Sequence, residues 1–285
     1  MIAGTDPPHR KKVKRALVLS GGAARGAFQV GVLLYLEACG WRPDLICGSS
    51  IGAIHAAATG AGLSADSLAR LWRSARQQRI RTFEFTPMLR RFFSPREPFS
   101  ISGVESIRRT LLEQIDFSRL AGSQTAVTIA AVDLATAKTV YFTNEEITVD
   151  HVLASAAAPV FFPWKTAGKR HYFDGGLMAN SPILPALARG AEQIAVVLLS
   201  PVSARALPPP ISFFKIIETA FEMMLAGPFQ AALDAYRAAG GRLPDIRVIA
   251  PPRMLGLASL ANYSRKQVDR LIAEGYDAAR QAMGD

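Results

Sequence analysis

The stretch Leu45-Ile46-Cys47-Gly48-Ser49-Ser50-Ile51-Gly52 runs from a short apolar segment, through a glycine-flanked serine, into the alanine-rich segment Ala53–Thr59. Apolar run, tight turn and Ala-rich helix form the context in which Gly-x-Ser-x-Gly works as a nucleophile elbow. The serine of such a turn has its oxygen exposed above a helix N-terminus. The free N–H groups and partial positive charge there favour an alkoxide and a neighbouring oxyanion. Gly48–Gly52 therefore predicts a strand–turn–helix unit with Ser50 at its apex.

Working outward, Arg15–Ser20 reads as a buried strand stopped by Gly21-Gly22, and residues 25–38 carry apolar side chains at helical spacing (Phe28, Val32, Leu33, Leu36). Strand, glycine turn and helix, twice in succession, is the alternation of a parallel sheet. Further strands are predicted over 126–132 and 139–142, pairing around Ala135-Thr136-Ala137-Lys138, then before Asp174, over 194–199 and over 246–249. Helices are predicted over 149–157, after Pro208-Pro209-Pro210 and from about Tyr263. Residues 64–120 differ, being rich in arginine and aromatics and broken by Pro87, Pro95 and Pro98, so they read as a helical cap. A chain of 285 residues, 49% hydrophobic, suits one core of this kind. The expected architecture is a three-layer α/β/α sandwich with a mostly parallel central sheet. A disordered basic tail over 1–14 precedes the domain at 15–285.

The formal net charge of +10 invites an anionic partner or reflects an arginine-rich solvated surface. No basic motif with interleaved aromatics at fixed spacing is visible, so an anionic membrane is favoured and no nucleic acid is expected. Cys39 and Cys47 are too few for a disulfide framework and read as buried free thiols of a reducing compartment. No Cys/His spacing suits a metal, no carboxylate-rich loop suits calcium, and no cofactor is implied. The basic start is followed by only four apolar residues, Ala16–Leu19, too few for a signal peptide. No run of 18 uncharged apolar residues exists. The expected location is cytoplasmic, peripheral at the inner membrane surface.

Three glycine turns remain: Gly21-Gly22-Ala23-Ala24-Arg25-Gly26, the elbow at Ser50, and Asp174-Gly175-Gly176. The first departs from a dinucleotide fingerprint because Ala23 stands where the second glycine must let a pyrophosphate approach, although Asp44 lies near the distance of a ribose-binding acid. A turn whose amides cradle an oxyanion fits better, since it works with alanine. The serine needs a base, yet no histidine follows Asp174. His9 lies in the tail, and His55 faces away from Ser50 on the same helix. His151 reads as a capping or surface residue, and His171 flanks the third turn. That leaves a carboxylate, and Asp174 stands between Tyr172-Phe173 and a glycine pair, at a strand end.

Gly21–Gly26, Gly48–Gly52, Ala154-Ser155-Ala156-Ala157-Ala158-Pro159 with Phe162-Pro163, and Asp174–Pro182 occur together in one order over most of residues 15–200. In these segments the chain resembles the bacterial patatin-like phospholipases. The resemblance implies a lipid acyl hydrolase with Ser50 as nucleophile and Asp174 as its base. It places Gly21, Gly22, Ala23, Ala24 and Ile51 around the oxyanion, with Arg25, Gly26, Gly48, Gly52, Gly175 and Gly176 in support. Arg25 is expected to brace its loop or meet a phosphate. Ala23 replaces the family's usual third glycine, which is tolerable if its φ stays negative. An aspartate near its ordinary pKa of about 3.9 is a weak base, so the pair requires a dry pocket.

The implied reaction is carboxylic ester cleavage of phospholipase A or lysophospholipase type through an acyl-serine, with phospholipid or another acyl ester as substrate. A general esterase or thioesterase on soluble acyl esters, and a non-catalytic lipid-binding module, stay open as alternatives. The apolar stretch Ile211–Leu225 reads as a lid or acyl-channel wall that also touches lipid, or as an ordinary core helix packed on the sheet. The basic, aromatic region Trp72–Phe99 is the better candidate for headgroup contact.

Overall fold

The computed structural model describes residues 13–74, 105–159, 161–201 and 211–284. Its strands are β1 (Arg15–Leu19), β2 (Leu45–Ser49), β3 (Ala126–Asp133), β4 (Lys138–Thr143), β5 (Lys165–Ala167), β6 (Arg170–Asp174), β7 (Gln193–Val197) and β8 (Asp245–Ile249). Its helices are α1 (Ala27–Ala38), α2 (Ile51–Gly60), α3 (Ala65–Ser74), α4 (Glu105–Gln114), α5 (Val149–Ser155), α6 (Gly176–Ala179), α7 (Leu184–Ala188), α8 (Phe213–Ala238) and α9 (Arg265–Met283). The strands form one sheet in the order β5-β6-β3-β2-β1-β7-β8, with β4 added to β3. The pairings β3-β2-β1-β7-β8 are all parallel, and those of β4, β5 and β6 are antiparallel.

Alternation along the strands explains the three layers. Leu17, Leu19, Ile46, Val127, Ile129, Ala195 and Val197 pack on one face with residues of α1, α2, α3, α5 and α9. Ala16, Val18, Leu45, Cys47, Ile194 and Val196 pack on the other face with Ile183, Leu187, Phe229 and Leu233 of the α7 and α8 layer. Strands apolar at every position are those of a sheet covered on both sides.

The local expectations meet several physical corrections. The glycine turn ends in a single 3-10 turn over Ala23–Gly26, and α1 begins only at Ala27. Cys47 is buried, but Cys39 is exposed because it caps the end of α1 beyond its last apolar position. Asp44 accepts from the amides of Lys14 and Arg15 at the start of β1. That is the opposite end of the sheet from the glycine turn, so it cannot serve a nucleotide there. Residues 1–12 of the basic tail lie outside the described residues, and Val13 is already packed in the core. Of the cap, α3 and α4 are described and residues 75–104 are outside the description, so most of the Trp72–Phe99 stretch is too. Trp72 itself is buried, donating Nε1–H to His55 Nε2 at 2.9 Å and stacking on Tyr263, so it does not face a headgroup layer. Among the described residues no helix is long and apolar enough to cross a membrane.

The arrangement of β3 positions the site. Along Thr128–Asp133 one edge of β3 pairs with β4, so its other edge must serve both β2 and β6. β2 takes Ala126–Ala130 and β6 takes Ala131–Asp133. Ser49 is opposite Ala130 and Asp174 is opposite Ala131, so the ends of β2 and β6 meet head to head.

Candidate active site

Ser50 caps α2 with φ 55° and ψ −123°, a backbone strained for any residue but glycine. Close packing enforces it. A Cβ on Gly48 would strike the backbone of Gly52, and one on Gly52 would strike the carbonyl of Leu19. The elbow therefore admits glycine alone at both flanks. The Ser50 carbonyl accepts from Ala53 and Ile54 as the helix starts, and the Ser50 N–H donates to Ser155 Oγ at 3.1 Å.

The Ser50 hydroxyl donates to Asp174 Oδ2 at 2.7 Å. Asp174 Oδ1 accepts from the Gly176 N–H at 2.6 Å. The Asp174 and Gly175 amides donate to the carbonyls of Ala157 and Ser155, fixing the strand end behind the carboxylate. Gly175 lies so close to Ala130 that a Cβ would strike its carbonyl. Burial pushes the Asp174 pKa up to about 6, against the opposing pull of the hydrogen bonds from Ser50 and Gly176. A carboxylate with that pKa, bonded to a hydroxyl, is a competent proton acceptor at neutral pH.

Around the glycine turn the residues divide. The Gly21 N–H is already donated to the Asn180 carbonyl at 3.0 Å, so Gly21 is not an oxyanion donor. Its contribution is closeness, since a Cβ there would lie 2.5 Å from Asn180 Oδ1 and 3.0 Å from Ser50 Cβ. The amides of Gly22, Ala23, Ala24 and Ile51 have no acceptor among the described residues. Ala23 is exposed at the turn's apex with φ 48°, so the condition of a negative φ is not met. The turn keeps its glycine-like shape without the glycine.

Arg25 is fully buried and makes four hydrogen bonds: Nε to Ser259 Oγ, Nη1 to the Leu199 carbonyl, and Nη2 to Glu222 Oε1 at 2.7 Å and to the Gly256 carbonyl. It braces the loop against α8, and its complete burial closes it off from a phosphate. Gly26 is confined by Ile51 and Trp72, and Gly176 by Asn180 and Asp174.

The histidines stand apart from this centre. His55 is buried between Gln29 Oε1 at 2.8 Å and the Trp72 indole, and burial drives its pKa down to about 3. Gln29 passes the chain on by donating to the Ser20 carbonyl at 2.7 Å, just before the glycine turn. His151 bonds Thr148 at the start of α5, and His171 bonds Thr166 across the β5–β6 ladder. His9 lies outside the described residues.

Ser155, Asn180 and Gln29 are the site-supporting residues that sequence reasoning missed. Ser155 and Asn180 sit inside segments that carried the resemblance, and that was their only signal. Gln29 is a polar residue in the middle of an apolar helix, a detectable break in pattern without an address.

With this geometry in place, comparison with known proteins identifies its class. The family model for patatin-like phospholipase matches residues 17–187, and the chain belongs to that family. Relatives include two cGAMP-activated phospholipases. The one from Pseudomonas aeruginosa is 30% identical over 58% of this chain and 53% of its own length. The one from Vibrio cholerae is 32% identical over 62% of this chain and 58% of its own length. The chain thus spans somewhat more than half the length of those relatives. The crystal structure of VipD from Legionella pneumophila shares the fold, with a TM-score of 0.50 at 14% identity over 96% of this chain and 67% of that one.

Proposed function

We propose that the chain is a serine lipid acyl hydrolase of phospholipase A or lysophospholipase type, with Ser50 as nucleophile and Asp174 as base. The observation that carries this reading is the 2.7 Å bond from Ser50 Oγ to a buried carboxylate whose pKa stands near 6. Ser50 Oγ attacks the ester carbonyl and its proton passes to Asp174 Oδ2. The amides of Gly22 and Ala23 receive the developing oxyanion, aided by the N-terminus of α2. Collapse expels the alcohol, which takes the proton from Asp174, and leaves an acyl-serine. Water then attacks the acyl carbonyl, giving its proton to Asp174. The second collapse frees the carboxylic acid and returns the proton to Ser50 Oγ. Gly176 holds the carboxylate by its outer oxygen throughout.

The test is labelling with a fluorophosphonate probe, located by mass spectrometry, on the parent, Ser50→Ala and Asp174→Asn. Labelling at Ser50 that both variants lose is the expected result. A folded parent that stays unlabelled and turns over no ester would sink the reading in favour of a lipid-binding module. Preference for short soluble esters over long-chain vesicle substrates would replace the lipid assignment by a general esterase. In this reading the enzyme is peripheral at an anionic membrane, and the basic tail contributes to its binding there. Deleting residues 1–12 should then weaken binding to anionic vesicles while soluble-ester turnover survives.

A further inference from the structure

Helix α8 is the longest among the described residues, yet only its inward side is packed. Glu222, Phe229 and Leu233 are buried, while Ile216 and Ile217 are 46% exposed, Met224 52% and Met223 68%. Ile211, just ahead of the helix, is 96% exposed. With Ala220 and Gly227 also exposed, the positions 216, 217, 220, 223, 224 and 227 form one stripe at helical spacing. A contiguous apolar stripe of this size marks an interaction surface. Of the readings open for 211–225, the ordinary core helix does not hold at the exposed positions 216, 217, 220, 223 and 224.

Two features say what the stripe meets. It adjoins the site: the Leu225 carbonyl accepts from Asn180 Nδ2 at 3.2 Å, and Glu222 clamps Arg25 of the oxyanion turn. Helix α6, which begins two residues after Asp174, packs against α8 and exposes Leu177 and Met178. Exposed apolar residues thus lie both on α8 and on the short helix that follows Asp174. The stripe is also neutral, since Lys215 and Glu218 at its start pair with each other at 2.7 Å. Isoleucines supply apolar area, and flexible methionines adapt to a partner without one fixed shape.

We infer that the outer face of α8, with Leu177 and Met178, is a docking surface for a phospholipid layer, in which apolar burial holds the chain and the charge of the basic tail only adds to it. The choice of occupant rests on the lipid hydrolase reading. Docked in this way, the surface would present the Ser50 turn to the layer at a distance set by the Glu222 and Asn180 contacts.

The experiment measures co-sedimentation of the full chain carrying Ser50→Ala with vesicles of phosphatidylcholine alone. The comparison adds Ile216→Ser, Met223→Ser and Met224→Ser together to the same background. The parent should bind, and the combined variant should partition about tenfold or more weakly. Raising salt from about 0.1 to 0.5 M should leave the parent's binding within roughly twofold, because no charge pair is screened. In the Ser50-bearing background the combined variant should keep its thermal midpoint and its turnover of a short soluble ester. Should it fail to fold, Met223→Gln alone serves, with a smaller loss expected.

Equal binding by parent and variant overturns the inference. So does binding that requires anionic lipid and is released by salt. A shift from dimer to monomer in the variant, with vesicle binding unchanged, overturns it in favour of an interface between copies. Vesicle binding by a chain that turns over no ester would instead defeat the hydrolase reading and leave the docking face standing.

Discussion

The Ser155 hydroxyl accepts from the Ser50 amide at 3.1 Å and donates to the Ala130 carbonyl at 2.6 Å, while the Ser155 carbonyl accepts from Gly175. One buried residue at the end of α5 thereby ties the strand end that carries the serine to the strand end that carries the aspartate. Among the described residues the two ends are otherwise joined only by the Ser50–Asp174 hydrogen bond. Ser155 is a positioning residue for the Ser50–Asp174 distance.

Ser155→Ala should therefore lower kcat by about 10- to 100-fold with KM changed by less than about twofold, since displacement of a reacting group by an ångström costs rate rather than binding. Fluorophosphonate labelling should slow in parallel. The stability cost should be about 1–3 kcal/mol, from a buried amide and carbonyl each losing a partner. A variant with full kcat and an unchanged labelling rate would mean that the glycines of the elbow hold Ser50 unaided.

The pH dependence follows from Asp174. In the proposed mechanism its carboxyl must be ionised to accept the Ser50 proton, so kcat/KM should rise as pH passes through about 6 and level off above it. The sign for stability is the reverse. The folded chain keeps this proton up to about 6 and the unfolded chain only to 3.8, so the folded state binds more protons between those values and stability falls as pH rises through them. The loss is on the order of 3 kcal/mol. Asp174→Asn, inactive, should melt higher than the parent near pH 8 and about level with it near pH 3.5, by calorimetry. An equal or lower melting point near pH 8 would show that the ionised carboxylate is not under strain.

Ala23 carries a positive φ of 48°. That conformation costs an alanine about 1–2 kcal/mol, and the extra freedom of an unfolded glycine costs about 0.5–1 kcal/mol. Ala23→Gly should thus gain several tenths of a kcal/mol, seen as a rise of about 1–3 °C in Tm, with activity retained. Loss of activity in a more stable variant would mean that the Ala23 methyl contacts substrate.

Arg25 and Glu222 are both buried and face each other at 2.7 Å. Arg25→Leu should destabilise by about 3–5 kcal/mol because it leaves Glu222 buried without its cation, and adding Glu222→Leu should recover much of that. Urea denaturation of the parent, both single variants and the double variant supplies the cycle. Additive losses would show that the pair is not coupled. Arg25→Lys should not rescue, since four acceptors in three directions match a planar guanidinium and not a point charge.

The elbow was legible because its requirements are local. Gly48 and Gly52 announce a turn too tight for a side chain, and the apolar and alanine-rich segments on either side announce the strand and helix. The alternation of such units carried the parallel centre of the sheet and its two packed faces. A carboxylate partner was legible by elimination, since no histidine follows residue 174, and the strand-end place of Asp174 together with the family resemblance pointed to it. By contrast, β6 running antiparallel along the far half of a β3 edge left no mark in the sequence, because pairing partners distant along the chain impose no period on either strand.

What the sequence by itself determined is the set of short-range demands: which residues turn, which alternate, and which serine and carboxylate stand at strand ends. Only the tertiary structure decided which ends meet. β3 shares one edge between β2 and β6, and that sharing sets Ser50 beside Asp174 and buries the carboxylate enough to raise its pKa. It also decided that Gly21 spends its amide on Asn180, that Arg25 braces α8, and that α8 leaves Ile216, Ile217, Met223 and Met224 exposed. Burial and hydrogen-bond partnership are properties of neighbours brought together by folding, and composition and spacing constrain them only weakly.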